Sequence, residues 1–166
     1  MIIKGVTELA VVYLPVQDKL SATTQHGDSV VISTASKASN FRQEERISVR
    51  SIPTEGPTLV MSVPPSSDET RNYCTLYKPA DTLSAGSSLK FCKVAECKAD
   101  YYPRLGRTME WDTVATHAVL KSAGGNVFSL KDGKELRYGK PAMDNSYFVA
   151  TASLNDVIKT NLDWRR

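Results

Sequence analysis

Gly106-Arg107-Thr108-Met109-Glu110-Trp111-Asp112-Thr113-Val114-Ala115-Thr116, running on to Ala123-Gly124-Gly125, is the stretch on which the fold turns. An acidic residue stands where a run of small residues begins, just past an arginine-bearing turn, and two glycines close the run. Aspartate is a favoured helix cap and gains from the positive end of the helix dipole, so the plainest reading of Asp112 is an N-cap. Ala115, Ala118 and Gly124-Gly125 keep the helix slim enough for a second backbone to lie close. Trp111 is expected to anchor the helix start, while Arg104 and Arg107 bring positive charge to the same turn. A carboxylate at a dipole terminus suits Mg²⁺, which takes carboxylates together with phosphate oxygens and retained waters.

Outward from this helix, strands and helices take turns. Upstream, residues 99–102 read as a strand, and Ser87 or Ser88 is placed to cap a helix reaching Cys97. Residues 81–85 form a short strand, 68–77 a helix capped by Ser66 or Ser67, and 58–63 a strand. Downstream, strands fall near 126–130 and 147–150. This alternation predicts an α/β layer with at least part of its sheet parallel. Residues 53–57, with two prolines and a glycine, are the linker candidate. Before them the rhythm is that of hairpins. Strands are expected over 6–14, 19–24, 30–32 and 47–50, with turns at 15–18 and 26–28 and a loop over 33–40. Leu154, Val157, Ile158 and Leu162 have helical spacing and predict a short terminal helix over 153–166. The organisation expected is therefore 1–55, mostly antiparallel strands, then 56–152, an α/β unit, then 153–166, a terminal helix or tail.

The 166 residues suffice for one domain, or for a domain and part of another. A 41% hydrophobic and 23% charged composition places the chain among soluble globular proteins. A net charge of +3, without a basic stripe interleaved with aromatics, argues against nucleic acid as a partner. Cys74, Cys92 and Cys97 show no zinc spacing and read as reduced, buried, structural thiols in a cytosolic setting. Lys4 follows Met1-Ile2-Ile3 at once, unlike a secretory signal, and no apolar run approaches the roughly 20 residues that span a bilayer.

Beyond Asp112, three features can carry chemistry. In Gly86-Ser87-Ser88-Leu89-Lys90, two hydroxyls, free backbone N–H groups and a first-turn lysine can cradle an anion. The plainer alternative is a capped amphipathic helix with solvated lysines, since Phe91, Cys92, Val94 and Ala95 share one arc and Lys90 and Lys93 fall elsewhere. Arg104 ends the Tyr101-Tyr102-Pro103-Arg104 strand and can grip a phosphate bidentately, the alternative being an ordinary exposed arginine. His117 reads as structural, because no Ser or Cys nucleophile motif accompanies it.

Taken together and in order, these pieces resemble the 3'(2'),5'-bisphosphate nucleotidases of the CysQ type, within the Mg²⁺-dependent, lithium-sensitive inositol monophosphatase superfamily. The likeness is carried by Gly86-Ser87-Ser88-Leu89-Lys90-Phe91-Cys92-Lys93-Val94-Ala95-Glu96, by Ala99-Asp100-Tyr101-Tyr102-Pro103-Arg104, and by Trp111-Asp112-Thr113-Val114-Ala115-Thr116-His117-Ala118-Val119-Leu120 with Ala123-Gly124-Gly125. Gly133-Lys134-Glu135-Leu136-Arg137-Tyr138, Asn145-Ser146-Tyr147-Phe148-Val149-Ala150 and Val11-Val12-Tyr13-Leu14-Pro15-Val16-Gln17-Asp18-Lys19-Leu20 extend it over most of the chain. It is weakest between Ser33 and Pro57.

The resemblance implies the C-terminal portion of an αβαβα sandwich, a mixed sheet with helices, plus leftover antiparallel strands of an N-terminal sheet. It implies that Asp112 is a Mg²⁺ ligand that also contacts substrate, and that Ser87, Lys90 and Arg104 hold the nucleotide and its remaining phosphate. The substrate implied is 3'-phosphoadenosine 5'-phosphate or its sulfated precursor, cleaved to AMP and phosphate by in-line attack of a metal-activated water. The cytoplasm, or the periphery of the inner membrane, is the location implied. In the family a Glu-Glu pair and an Asp-Pro-x-Asp-Gly-Thr loop precede the Val-Val-Tyr strand, and Met1 comes after both, so most metal ligands are missing here. Thr116 also stands where the family usually has glycine.

One carboxylate cannot gather two or three Mg²⁺ ions, which shed water reluctantly. The expectation is thus a phosphatase fragment, inactive or weak alone, that a complementary N-terminal fragment can complete. A non-catalytic remnant or phosphonucleotide-binding module is the alternative, with inositol phosphate as the rival substrate. The opening strands are expected to leave an exposed edge and a sticky face.

Overall fold

Residues 1–34, 42–62 and 67–152 are described by the computed structural model. Gly5, at φ +79°, turns the chain between β1 (Ile2–Ile3) and β2 (Val6–Thr7), a small antiparallel hairpin. Four antiparallel strands follow in chain order: β3 (Val11–Leu14), β4 (Lys19–Thr23), β5 (Ser29–Thr34) and β6 (Arg42–Ile47). Then come β7 (Thr58–Met61), α1 (Asp68–Thr75), β8 (Asp81–Ser84), α2 (Leu89–Ala95), β9 (Tyr101–Arg104), α3 (Glu110–Ser122), β10 (Asn126–Ser129) and β11 (Phe148–Thr151). The later strands form a second sheet ordered β10-β11-β9-β7-β8. Strand β7 runs parallel to β8 and β9, whereas β11 is antiparallel to both its neighbours. The mixed α/β architecture expected from the alternation of strand and helix is thus the one observed.

Side-chain alternation explains how the layers stack. Val60, Tyr102, Val127, Phe148 and Ala150 point to one face of the five-stranded sheet and join Phe91, Val94, Val119 and Leu120 of α2 and α3 in the main core. Their neighbours Leu59, Tyr101, Phe128 and Val149 point to the other face and pack with Cys74 of α1. A sheet buried on both faces reads in sequence as a continuous apolar run, and each large side chain so buried contributes roughly 1.5–3 kcal/mol. The four-stranded sheet closes α3 from the opposite side: the Ser29 hydroxyl donates to the Val119 carbonyl at 2.6 Å, and Val12, Ile47 and Val49 pack on the main core.

Several expected boundaries shift, each because the backbone finds another partner. The strand expected over 6–14 is two strands, since β2 pairs back on β1 while β3 pairs with β4. The strand expected at 47–50 has already ended at Ile47. Beyond it, Val49 N–H donates to the Ala123 carbonyl at 2.8 Å, and Arg50 grips the buried Asp100 carboxylate with two bonds of 2.9 Å. Of the loop expected over 33–40, Ser33 and Thr34 belong to β5 and the remainder lies outside the described residues, as does the helix expected over 153–166. Helix α1 starts from Ser67, whose hydroxyl accepts the Thr70 N–H at 3.1 Å. Helix α2 stops at Ala95, short of Cys97, which sits at φ +60° and is half-buried rather than a core thiol. Trp111, expected to anchor the helix start, is exposed.

The opening strands do leave an apolar surface, formed by Ile2, Ile3, Leu9, Val11 and Tyr13, and β3 is an edge of its sheet. The opposite edge, β6, carries exposed Glu44, Glu45 and Arg46, the charge guard that β3 lacks.

Candidate active site

Strand β9 ends on Arg104, and six residues later α3 opens at Glu110. Asp112 is not the N-cap of that helix. Met109 occupies the cap with an extended backbone (φ −104°, ψ 160°), and Asp112, three residues on, reaches back so that its Oδ2 accepts the Met109 N–H at 2.9 Å. The reason lies across the turn: Met109 bridges to Asp144 in antiparallel fashion, and Asn145 Nδ2 donates to the Met109 carbonyl at 2.9 Å. Held this way, Asp112 spends one oxygen on the helix start and presents an exposed carboxylate.

Facing it is the start of α2. Ser87 lies at φ +42°, in the left-handed region, and Ser88 occupies the N-cap without a side-chain capping bond. Neither serine therefore caps α2 through its hydroxyl, contrary to expectation. Lys90 is the larger departure, since it is 3% exposed rather than solvated. Its Nζ lies 3.4 Å from the Ser87 carbonyl and 5.1 Å from the Tyr102 ring centroid, with no carboxylate at ion-pair distance among the described residues. Burial, and secondarily the Arg104 guanidinium, lowers its pKa from the ordinary lysine value. Arg104 Nε is buried without a partner among the described residues, and Nη2 donates to the Arg107 carbonyl at 3.4 Å. Arg107 pairs with Asp144 at 3.1 Å.

Ser87, Lys90, Arg104 and Asp112, distant in sequence, thus line one cleft of ≈ 240 Å³, together with Arg107 and Tyr102. Three cations face one carboxylate in its wall, which favours an anion bearing more than one charge. The same arithmetic speaks against a metal held by the described residues alone. Among the described residues, no group of three or more His, Cys, Asp or Glu side chains is placed to hold an ion. Asp112 by itself does not fit Mg²⁺.

Two residues without an assigned sequence role prove to shape the cleft. Glu110 is buried and accepts the Gly139 and Lys140 N–H groups at 2.6 and 3.0 Å while pairing with Lys140 Nζ. Asn145 also donates to Thr113 Oγ1 at 3.0 Å, and its N–H donates to the Thr108 carbonyl at 2.9 Å. Together they staple the loop before β11 to the start of α3. Their identities as buried polar residues had no signal in spacing or periodicity. His117 is structural, as expected: fully buried, with Nδ1 2.8 Å from the Tyr138 hydroxyl and Nε2 2.8 Å from Asn126 Oδ1. Thr116 is buried too, its hydroxyl turned onto the Thr113 carbonyl at 3.0 Å.

A sequence model described as the inositol monophosphatase family matches residues 1–162. The 3'(2'),5'-bisphosphate nucleotidase CysQ of Buchnera aphidicola subsp. Acyrthosiphon pisum is 36% identical over 151 residues, covering 89% of this chain and 53% of that protein. CysQ of Escherichia coli (strain K12) is 37% identical over 134 residues, which is 78% of this chain and 48% of that one. Among solved structures, CysQ from Bacteroides thetaiotaomicron superposes with a TM-score of 0.73 at 30% identity, covering 90% of this chain and 59% of that one. The chain thus spans about half the length of the curated CysQ relatives named here.

Proposed function

The chain belongs to the inositol monophosphatase family, and from that premise we propose that its cleft holds the bisphosphate nucleotide of a 3'-phosphoadenosine 5'-phosphate phosphatase. In the completed enzyme the 3'-phosphate is removed and AMP is left. Ser87, Lys90 and Arg104 bind the nucleotide and its retained phosphate, and Asp112 supplies one carboxylate to a Mg²⁺ centre whose other ligands come from outside these residues. The observation that carries this reading is the convergence of Lys90 and Arg104, neither with an ion partner among the described residues, on the cleft that Asp112 faces. Likeness to proteins named as bisphosphate nucleotidases supports the choice of nucleotide. Inositol phosphate is the weaker candidate, because one phosphate on an uncharged ring leaves part of the cationic wall unanswered.

With a single carboxylate, the chain alone binds the nucleotide without turning it over. The reading places it in the cytoplasm, and no helix of the described residues is long and apolar enough to cross a membrane. Calorimetry with 3'-phosphoadenosine 5'-phosphate in EDTA, followed by phosphate release with Mg²⁺, tests it. Binding without hydrolysis, and hydrolysis on adding the N-terminal half of a CysQ relative, is the expected result. Binding that never becomes hydrolysis with any complementary half favours a non-catalytic phosphonucleotide-binding module. Robust lithium-sensitive turnover by the chain alone overturns the dependence on a second fragment, and absence of binding overturns the cleft assignment.

A further inference from the structure

Lys90 is an uncommon lysine. Its side chain is buried in the wall of the ≈ 240 Å³ cleft, yet among the described residues no carboxylate sits at ion-pair distance to hold its proton. Nζ donates to the Ser87 carbonyl at a long 3.4 Å, and the Tyr102 ring at 5.1 Å offers only a quadrupole. An ammonium placed there loses its hydration and is repelled by the Arg104 guanidinium, so the neutral amine is favoured over what an exposed lysine shows. A neutral amine is a nucleophile. The same cleft offers anion-binding groups: Arg104, whose Nε has no partner among the described residues, Arg107, and the Ser87 hydroxyl on its strained turn.

We propose that Lys90 is a covalent modification site, and that the cleft takes phosphate-bearing aldehydes, with pyridoxal 5'-phosphate as the probe, by forming an imine at Lys90 Nζ. The phosphate docks on the arginines and brings the carbonyl within reach of the amine, which raises the effective concentration of the one over the other. The Nζ lone pair adds to the aldehyde carbon to give a carbinolamine. The carbonyl oxygen then leaves as water with the two amine protons, and the C=N bond remains. No oxidant or reductant takes part, and dilution or acid reverses the step. The proposal rests on the anion-binding reading of the cleft but not on any hydrolytic activity.

The test uses the whole chain with equimolar pyridoxal 5'-phosphate near neutral pH, trapping with borohydride and peptide mapping by mass spectrometry. Lys90 should carry roughly tenfold or more label than the mean of the exposed lysines, a ratio set by docking and by the neutral amine together. 3'-Phosphoadenosine 5'-phosphate should protect it, and Lys90→Arg should lose the label while leaving the slow surface labelling unchanged. Label spread over lysines in proportion to exposure overturns the proposal, whatever the variant does. Pyridoxine 5'-phosphate, which lacks the aldehyde, separates the two layers of the argument. If it binds and Lys90 stays unlabelled, the imine fails and the anion site stands; if it does not bind and Lys90 stays unlabelled, both fail.

Discussion

Replacing Asp112 by asparagine should tighten nucleotide binding in the absence of metal, the opposite of what loss of a binding residue ordinarily does. The amide oxygen of the variant still accepts the Met109 N–H, so α3 keeps its start and the cleft its shape. What changes is one negative charge facing an anionic ligand. A sphere of the cleft's ≈ 240 Å³ has a radius of about 4 Å, which puts a seated phosphate roughly 6 Å from a carboxylate in the wall. At an effective dielectric of about 20, unit charges at that distance repel by about 2.8 kcal/mol, and salt at the open mouth reduces this to about half. The expected gain is therefore about 1.4 kcal/mol, or tenfold in Kd. Calorimetry in EDTA at low and at physiological salt measures it, and the gain should shrink as salt rises. Weaker or unchanged binding refutes the electrostatic reasoning, since it would mean that Asp112 contributes contacts rather than repulsion.

The loop staple gives the second expectation. Burial alone would raise the Glu110 carboxyl, but the Lys140 ammonium and then the Gly139 and Lys140 amides outweigh it and hold the pKa below the ordinary glutamate value. Stability from a depressed carboxyl is present above the unfolded value of about 4.3 and disappears as pH falls through the folded one. Glu110→Gln should cost about 2 kcal/mol at pH 7 by urea melts, with the gap to the parent closing in acid; a gap independent of pH contradicts the charge-based account. Gly125→Ala should cost at least about 2 kcal/mol, because the added Cβ would fall 2.5 Å from Leu120 Cδ1 and 2.7 Å from the Thr151 carbonyl. Gly124→Ala, strained at φ +93° but 3.4 Å from its nearest neighbour, should cost about 1 kcal/mol, and equal losses in the two would discredit the packing argument. Burial, only partly offset by Asn126 and Glu135, lowers the His117 pKa, so its ring should titrate below the ordinary histidine value by NMR. A titration of the His117 ring signals near pH 6.5 in the folded state would show that the Tyr138 and Asn126 contacts do not hold.

The fold was legible where one signal repeats over several residues. Small-residue spacing and the Gly124-Gly125 stop marked α3, and alternating apolar runs separated by serine caps and turns marked the mixed sheet. What periodicity misses is competition for backbone partners. Val49 and Arg50 look like strand residues, yet Ala123 and Asp100 draw them off the sheet. The site divides in the same way. Ser87, Lys90, Arg104 and Asp112 could be singled out by residue type beside helix starts and strand ends, and all four line the cleft. Sequence gave no means of telling that Lys90 is buried, because a lysine on a polar arc is ordinarily solvated, nor that Asp112 is a third helical residue and not the cap. Both facts depend on Tyr102, Asp144 and Asn145, which come from other segments of the chain.

The shape of the cleft and its charge have separate origins in this chain. Shape is secured internally: Glu110 to Gly139 and Lys140, Asn145 to Met109 and Thr113, and Arg107 to Asp144 tie the rim together with bonds that need no other molecule. Charge is left open. Among the described residues the buried Lys90 has no counter-ion and Arg104 Nε no partner, and both weaken the folded state, the former because desolvation disfavours its charged form. A protein keeps such groups at a cost in stability, and that cost is offset when a ligand supplies the missing negative charge. On the proposed reading, an anion that supplies this charge stabilises the chain by its binding free energy, so ligand-induced stabilisation should accompany nucleotide binding.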